Sequence, residues 1–137
     1  MTNMSSEKKI KHLEFIQNII TRMNTNSFAI KGWTVTLVSA LFALAAQNTN
    51  NNFIFITYIA IPIFWILDGF YLGQEKQYRG LYGEISKKKE DEIDFSLDAR
   101  TYDKDDSTWL STTFSKTLNV FYLTLIAITI VVLYFIK

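Results

Sequence analysis

The stretch FAIKGWTVTLVSALFALAA, running from Phe28 to Ala46, decides how this chain folds. It carries one charge, Lys31, and approaches the ~20 residues an α-helix needs to cross a hydrocarbon core of roughly 30 Å. Two further stretches match it, Phe53–Leu72 and Leu118–Ile136. A soluble chain of 137 residues has no reason to repeat that length three times. Inside a bilayer the backbone must satisfy its own hydrogen bonds, so each stretch reads as a helix. The expected fold is all-α: a polytopic membrane protein with three transmembrane helices, an N-terminal amphipathic helix and a short cytoplasmic helical segment, assembled as a homo-oligomer. The expected divisions are 1–27 (amphipathic helix), 28–72 (transmembrane hairpin), 73–117 (cytoplasmic segment) and 118–137 (third span).

The modest mean hydropathy averages three apolar blocks with two charged ones, Met1–Thr25 and Gly73–Lys116. That leaves room for one membrane domain and a soluble appendage, without a separate catalytic domain. Cysteine is absent, which excludes disulfides and thiolate metal sites. The first apolar block follows a long polar lead-in without a small-residue cleavage signature, so it reads as a retained signal anchor. The net charge of +1 matters less than its distribution. Lys8, Lys9, Lys11, Arg22 and Lys31 flank the first span on one side, whereas Gln47-Asn48-Thr49-Asn50-Asn51-Asn52 carries no charge. Lys76, Arg79, Lys87, Lys88, Lys89, Arg100, Lys104 and Lys116 populate the long connection. The positive-inside rule then sets the N-terminus and the long connection in the cytoplasm, with the Asn-rich turn and Lys137 outside.

From Ser6 to Asn24, the residues Ile10, Leu13, Ile16, Ile20 and Met23 recur at helical spacing, with Lys8, Lys11, His12, Asn18 and Arg22 on the other side. Such a helix either lies on the inner leaflet or packs against its own copies. The second span is expected to continue past Leu72 as a helix, since Tyr71, Tyr78, Leu81, Tyr82 and Ile85 keep the period. Glu75→Arg79 and Glu84→Lys88 pair on its exposed side, while Gly73, Gly80 and Gly83 weaken it. Ser107 is placed to cap the helix entering the third span. Trp109 and Phe114 suit the inner interface.

Enzyme chemistry finds no constellation here, and no cofactor or metal is expected. His12 is the single histidine, without a second His or a Cys to complete a metal site or nucleophile–base pair, and reads as solvated. Asp94, Asp98, Asp103, Asp105 and Asp106 lack calcium-loop spacing and read as loop and cap residues. The telling charges lie at membrane depth. Lys31 and Asp68 each sit about one turn inside the cytoplasmic end of a span, and an antiparallel hairpin brings them to similar depth. They either lock each other or face ions as a ring or gate. Gly32, Thr36, Ser39, Ala43 and Ala46 draw a stripe of small and hydroxyl side chains along the first span, suited to close packing or to lining a pore. Pro62 is expected to kink the second span.

The runs Lys11-His12-Leu13-Glu14-Phe15-Ile16-Gln17, Arg22-Met23, Asn26-Ser27-Phe28-x-x-Lys31-Gly32-Trp33-x-Val35-Thr36-Leu37, Phe64-Trp65-x-Leu67-Asp68-Gly69-Phe70-Tyr71-Leu72-x-Gln74-Glu75, Tyr78-Arg79-x-Leu81-Tyr82 and Asp94-Phe95-Ser96 extend over nearly the whole chain. In them the chain resembles a family of small bacterial membrane proteins that includes channel-forming effectors of phage-defence systems such as Hailong. The resemblance implies a channel-like core. It also implies a nucleotidyltransferase partner whose DNA oligomer holds the channel shut. The functional expectation is therefore an oligomeric channel or pore of the bacterial inner membrane, acting in anti-phage defence. Three helices cannot enclose a water path, so conduction needs several subunits, with a tetramer as the working number. The pore or gate candidates are Lys31, Asp68, Thr36 and Ser39. Lys8, Lys9, Lys11 and Arg22, repeated by symmetry, could hold an anionic nucleotide or single-stranded nucleic acid. The alternative is a non-conducting membrane anchor that recruits a cytoplasmic partner.

Overall fold

The computed structural model describes residues 2–48 and 52–136. Helix α1 spans Thr2–Asn48 and α2 spans Asn52–Lys87. Three single 3-10 turns follow, at Glu90–Glu92, Arg100–Tyr102 and Asp105–Ser107. Helix α3 is a short piece, Trp109–Thr113, and α4 spans Lys116–Ile136. No strand occurs among the described residues. Thr49, Asn50 and Asn51, the centre of the Asn-rich turn, lie outside the described residues, as does Lys137.

Three helices, α1, α2 and α4, are long and apolar enough to cross a membrane. Helix α1 is longer than the span requires, at about 70 Å for its 47 residues. The helix runs without interruption across the expected division at residues 27 and 28, so the leading helix and first span are one rod. Asn and Ser disfavour helix interiors because their side chains compete for local backbone groups. Here those side chains are engaged elsewhere: Asn24 Nδ2 donates to Glu75 Oε2 at 3.2 Å, and Ser27 Oγ donates to Asp68 Oδ1.

Within the chain, the leading segment packs against the extension of α2. Helix α2 continues beyond Leu72 to Lys87, and the two extensions pack side by side within one chain. Their core is Ile16, Ile20, Leu81, Ile85 and Ala99, flanked by Leu13, Tyr78, Tyr82, Ile93 and Tyr102. A second core, in the apolar half, joins Val38, Ile61, Leu118, Tyr122 and Leu125 from the three spans. Lys9 Nζ donates to the carbonyls of Ser86 at 3.0 Å and Lys88 at 2.7 Å, so a cation closes the C-terminal end of α2.

Two glycines read as helix weaknesses prove to be points of close approach. A Cβ on Gly80 would lie 2.6 Å from the Tyr102 ring, and one on Gly73 would lie 3.0 Å from Thr112 Oγ1. Gly69 is tighter, its Cβ position being 2.8 Å from Thr113 Cα. Only glycine lets α3 settle onto α2 there. Indole donors tie the same contact in both directions: Trp65 Nε1 donates to Thr113 O at 2.6 Å, and Trp109 Nε1 to Ile66 O at 2.9 Å. The cap of α3 is Thr108, whose Oγ1 accepts from Ser111 N at 3.2 Å. Ser107 is instead buried and donates to the carbonyls of Tyr102 and Lys104.

Candidate functional site: a buried ion pair between the spans

Asp68 is the centre of the site. It lies in α2 between the two cores, its side chain 0% exposed, and three side chains converge on it. Lys31 Nζ of α1 lies 2.6 Å from Oδ2, and Tyr122 of α4 donates its hydroxyl to the same oxygen at 2.9 Å. Ser27 of α1 donates to Oδ1 and accepts from Lys31 Nζ at 3.0 Å. Trp65 stacks on the Tyr122 ring at 5.6 Å and 8° and so fixes the hydroxyl's direction. A carboxylate at membrane depth costs several kcal/mol unless it is paired and hydrogen-bonded. Here both oxygens are supplied with donors and the charge is neutralised.

The spacing of α1 explains why the donors arrive together. Ser27, Ile30, Thr34, Val38, Leu41 and Ala45 form one buried stripe at steps of three and four. Lys31 stands at its edge, with its side chain 23% exposed and its ammonium 6.0 Å from the Phe121 ring centroid. Ser27 lies one turn before Lys31, so hydroxyl and ammonium reach the same carboxylate. A second polar layer lies farther toward the polar end. Buried Glu75 accepts from Asn24 and pairs with Arg79 at 2.7 Å, so its pair with Arg79 is half inside the fold. Gln77 Nε2 donates to Asp103 Oδ1 and to Ser107 O, both at 3.1 Å.

The four pore or gate candidates divide into two pairs. Lys31 and Asp68 meet and turn inward, within one chain. Thr36 and Ser39 are exposed on the far side of α1, together with Gly32, Ala43 and Ala46. The whole small-residue stripe therefore faces away from the chain's own core. Thr36 Oγ1 donates to Gly32 O at 2.9 Å, which satisfies its hydroxyl within the helix.

The anionic-ligand candidates divide as well. Lys8, Lys11 and Arg22 are exposed on one side of α1, whereas Lys9 is taken up by the end of α2. Lys11 pairs with Glu14 at 2.9 Å, which raises its pKa.

His12 is not solvated. It is 0% exposed on the buried stripe, its ring 5.3 Å from that of Phe95, and Nε2 lies 2.9 Å from the Ser96 carbonyl. A carbonyl only accepts, so Nε2 carries the proton of that bond. Phe95 adopts φ 58°, which turns the loop onto the histidine. Farther along, Asp94 accepts from Ser96 N and Asp98 from Arg100 N, each at 3.0 Å, as loop-forming carboxylates.

Sequence reasoning missed Ser27 and Tyr122. Tyr122 left a signal, being a hydroxyl among the apolar residues of the third span. Ser27 left only its place one turn before a membrane-depth lysine. Comparison with protein-family models, curated proteins and solved structures finds no match.

Proposed function

We propose that this protein is the subunit of a homo-oligomeric ion channel or pore in the bacterial inner membrane, with its N-terminus cytoplasmic and its C-terminus outside. The observation that carries the reading is the outward stripe Gly32, Thr36, Ser39, Ala43 and Ala46. Other exposed positions at membrane depth bear large apolar groups such as Phe55, Ile59, Ile63, Val120, Leu123 and Ile130, which suit lipid. A face of glycine, alanine and hydroxyls suits close helix contact around an axis, where Thr36 and Ser39 could meet water. Four copies are the working number.

In this reading Lys31–Asp68 holds each subunit's three spans as a rigid unit and does not conduct. Opening would depolarise the cell during phage infection, the role implied by the resemblance to defence effectors. Lys8, Lys11 and Arg22 of several subunits would present a basic surface to an anionic nucleotide or single-stranded nucleic acid. A nucleotidyltransferase partner would supply that ligand.

A non-conducting anchor for a cytoplasmic partner is the second reading. It is favoured by the internal neutralisation of Lys31 and Asp68, which leaves neither charge free to face ions. One experiment separates the two. Purified protein in liposomes should pass ions down a gradient, and Thr36→Leu/Ser39→Leu should abolish the flux while leaving insertion intact. Absence of flux at every protein density, together with harmless overexpression in cells, would leave the anchor.

A further inference from the structure

The loop covers only one flank of the polar module. On α1, His12 leans toward Phe95 and Ser96, whereas Leu13 is turned about 100° farther around the helix. On α2, Gly80 and Glu84 meet Tyr102 on the loop side, whereas Tyr82 points away from it. The uncovered flank is a groove of about 570 Å³ between Ile10, Leu13, Gln17 and Tyr82, bordered by Glu14 and Asn18. It lies well outside the apolar spans, yet Ile10 is 55% exposed. The opposite flank carries its own exposed apolar groups, Phe95 at 46%, with its ring also beside His12, and Leu97 at 41%.

Charge separates in the same sense. Residues 90–98 hold five carboxylates and no cation, whereas residues 8–22 hold four cations and one carboxylate. Two of those cations border the groove: Lys11 is paired to Glu14 at 2.9 Å, and Arg22 stands one turn beyond Asn18.

We propose that the occupant of this groove is a second copy of the chain: the Phe95–Leu97 loop of one subunit seats between Ile10, Leu13 and Tyr82 of the next. Loop and groove lie on opposite flanks of one module, so the contact is head-to-tail and repeats around an axis until it closes. The apolar tip leaves water, and the carboxylates beside it, apart from Asp98 which Arg100 holds at 2.6 Å, come within reach of Lys11 and Arg22. This inference rests on the oligomer of the proposed function. It adds to that reading the surface that orders the subunits into a ring.

The chain has no cysteine, so introduced thiols report without background. Two full-length variants, Leu97→Cys and Gln17→Cys, carrying different tags, are co-expressed in membranes and oxidised. A disulfide between the two tagged chains is expected at least tenfold above that of Leu97→Cys with Arg79→Cys, which lies on the loop flank. A single chain carrying both cysteines should give a ladder that ends at the ring size. Particle size is measured in parallel on each variant. Oligomers of unchanged size that link Gln17→Cys only to itself, or that give no 97–17 product above the control, overturn the loop-in-groove contact while leaving the oligomer standing. Particles of single-chain size overturn the oligomer, and the contact with it.

Discussion

Lys31 and Asp68 meet at 2.6 Å across the α1–α2 hairpin, yet they are unequal partners. The carboxylate is fully enclosed, while the lysine side chain keeps 23% of its surface open at the edge of the stripe. An ammonium on a four-carbon stem can swing toward the interface when its partner is lost, but Asp68 has nowhere to go.

Lys31→Met should therefore be the more damaging single change. It leaves a buried carboxylate held only by Ser27 and Tyr122, at a cost of about 3 kcal/mol or more. Asp68→Asn keeps an acceptor for one of the two hydroxyls, sets an amide donor against the other and frees a lysine that can reach water, at about 1–2 kcal/mol. Thermal unfolding of the detergent-solubilised protein, followed by tryptophan fluorescence, should rank the two in that order. Exchanging the residues should restore little, because Ser27 and Tyr122 would then surround an ammonium in place of a carboxylate.

The glycines of α2 should answer alanine in opposite directions. Gly69→Ala drives a methyl into the Thr113 backbone and should cost about 1–3 kcal/mol, loosening α3 from α2. Gly83 has nothing within 4 Å of its Cβ position, so Gly83→Ala should stabilise by about 0.5–1 kcal/mol through helix propensity. Unfolding midpoints of the two variants check both signs.

Gly32 likewise has open space around it in the single chain. Gly32→Leu should leave the subunit's unfolding temperature unchanged within about 0.5 kcal/mol. If the stripe packs around an axis, the same change should shift the particle to smaller size in native mass spectrometry. An oligomer indifferent to leucine at position 32 would remove the stripe from the interface.

Attachment of the loop should be bounded in pH on both sides. Arg100 holds Asp98 down to about 2, and hydrogen bonds from Tyr102 and Lys88 lower the carboxyl of Glu84. Groups lowered in the fold contribute above their unfolded values of 3.8 and 4.5, and that contribution fades as pH falls toward about 2. Tyr102 is raised from 10.0 to about 12 by burial and by Glu84, so its contribution is complete below 10 and lost as pH rises through about 12. Protease cleavage within residues 90–107 should be slow between these limits and accelerate beyond either. Glu84→Gln should lower the pH at which Tyr102 ionises, read as tyrosinate absorbance.

Orientation is open to a direct check. Gln47→Cys and Lys89→Cys should label from opposite sides of sealed inner-membrane vesicles with an impermeant thiol reagent, Lys89→Cys from the cytoplasmic side alone. Labelling of both from one side would overturn the assigned topology.

Much of the architecture was written locally in the chain. Three apolar runs of bilayer length define three helices, since chain length and backbone hydrogen bonding leave no other solution. The period of Tyr78, Leu81, Tyr82 and Ile85 carried α2 past its apolar run for the same local reason. Matched depth in an antiparallel hairpin brought Lys31 and Asp68 to one level, and the packed helices decided that they lock each other. What the sequence could not decide was which surface each periodic face would meet. Ile16 and Ile20 are apolar whether they lie on lipid, on another copy or on α2, and only the fold shows them against Leu81 and Ile85. His12 carries a polar label that local pattern sends to water, but the carbonyl of Ser96, 84 residues away, draws it inside. Gly73 and Gly80 look like weaknesses until Thr112 and Tyr102 are laid against them. Ser27 and Tyr122 join the ion pair from positions 95 residues apart. Local spacing determined the elements and their depth, whereas the partners of a buried charge, a buried ring nitrogen or a missing Cβ were set by contacts that exist only once the helices have packed.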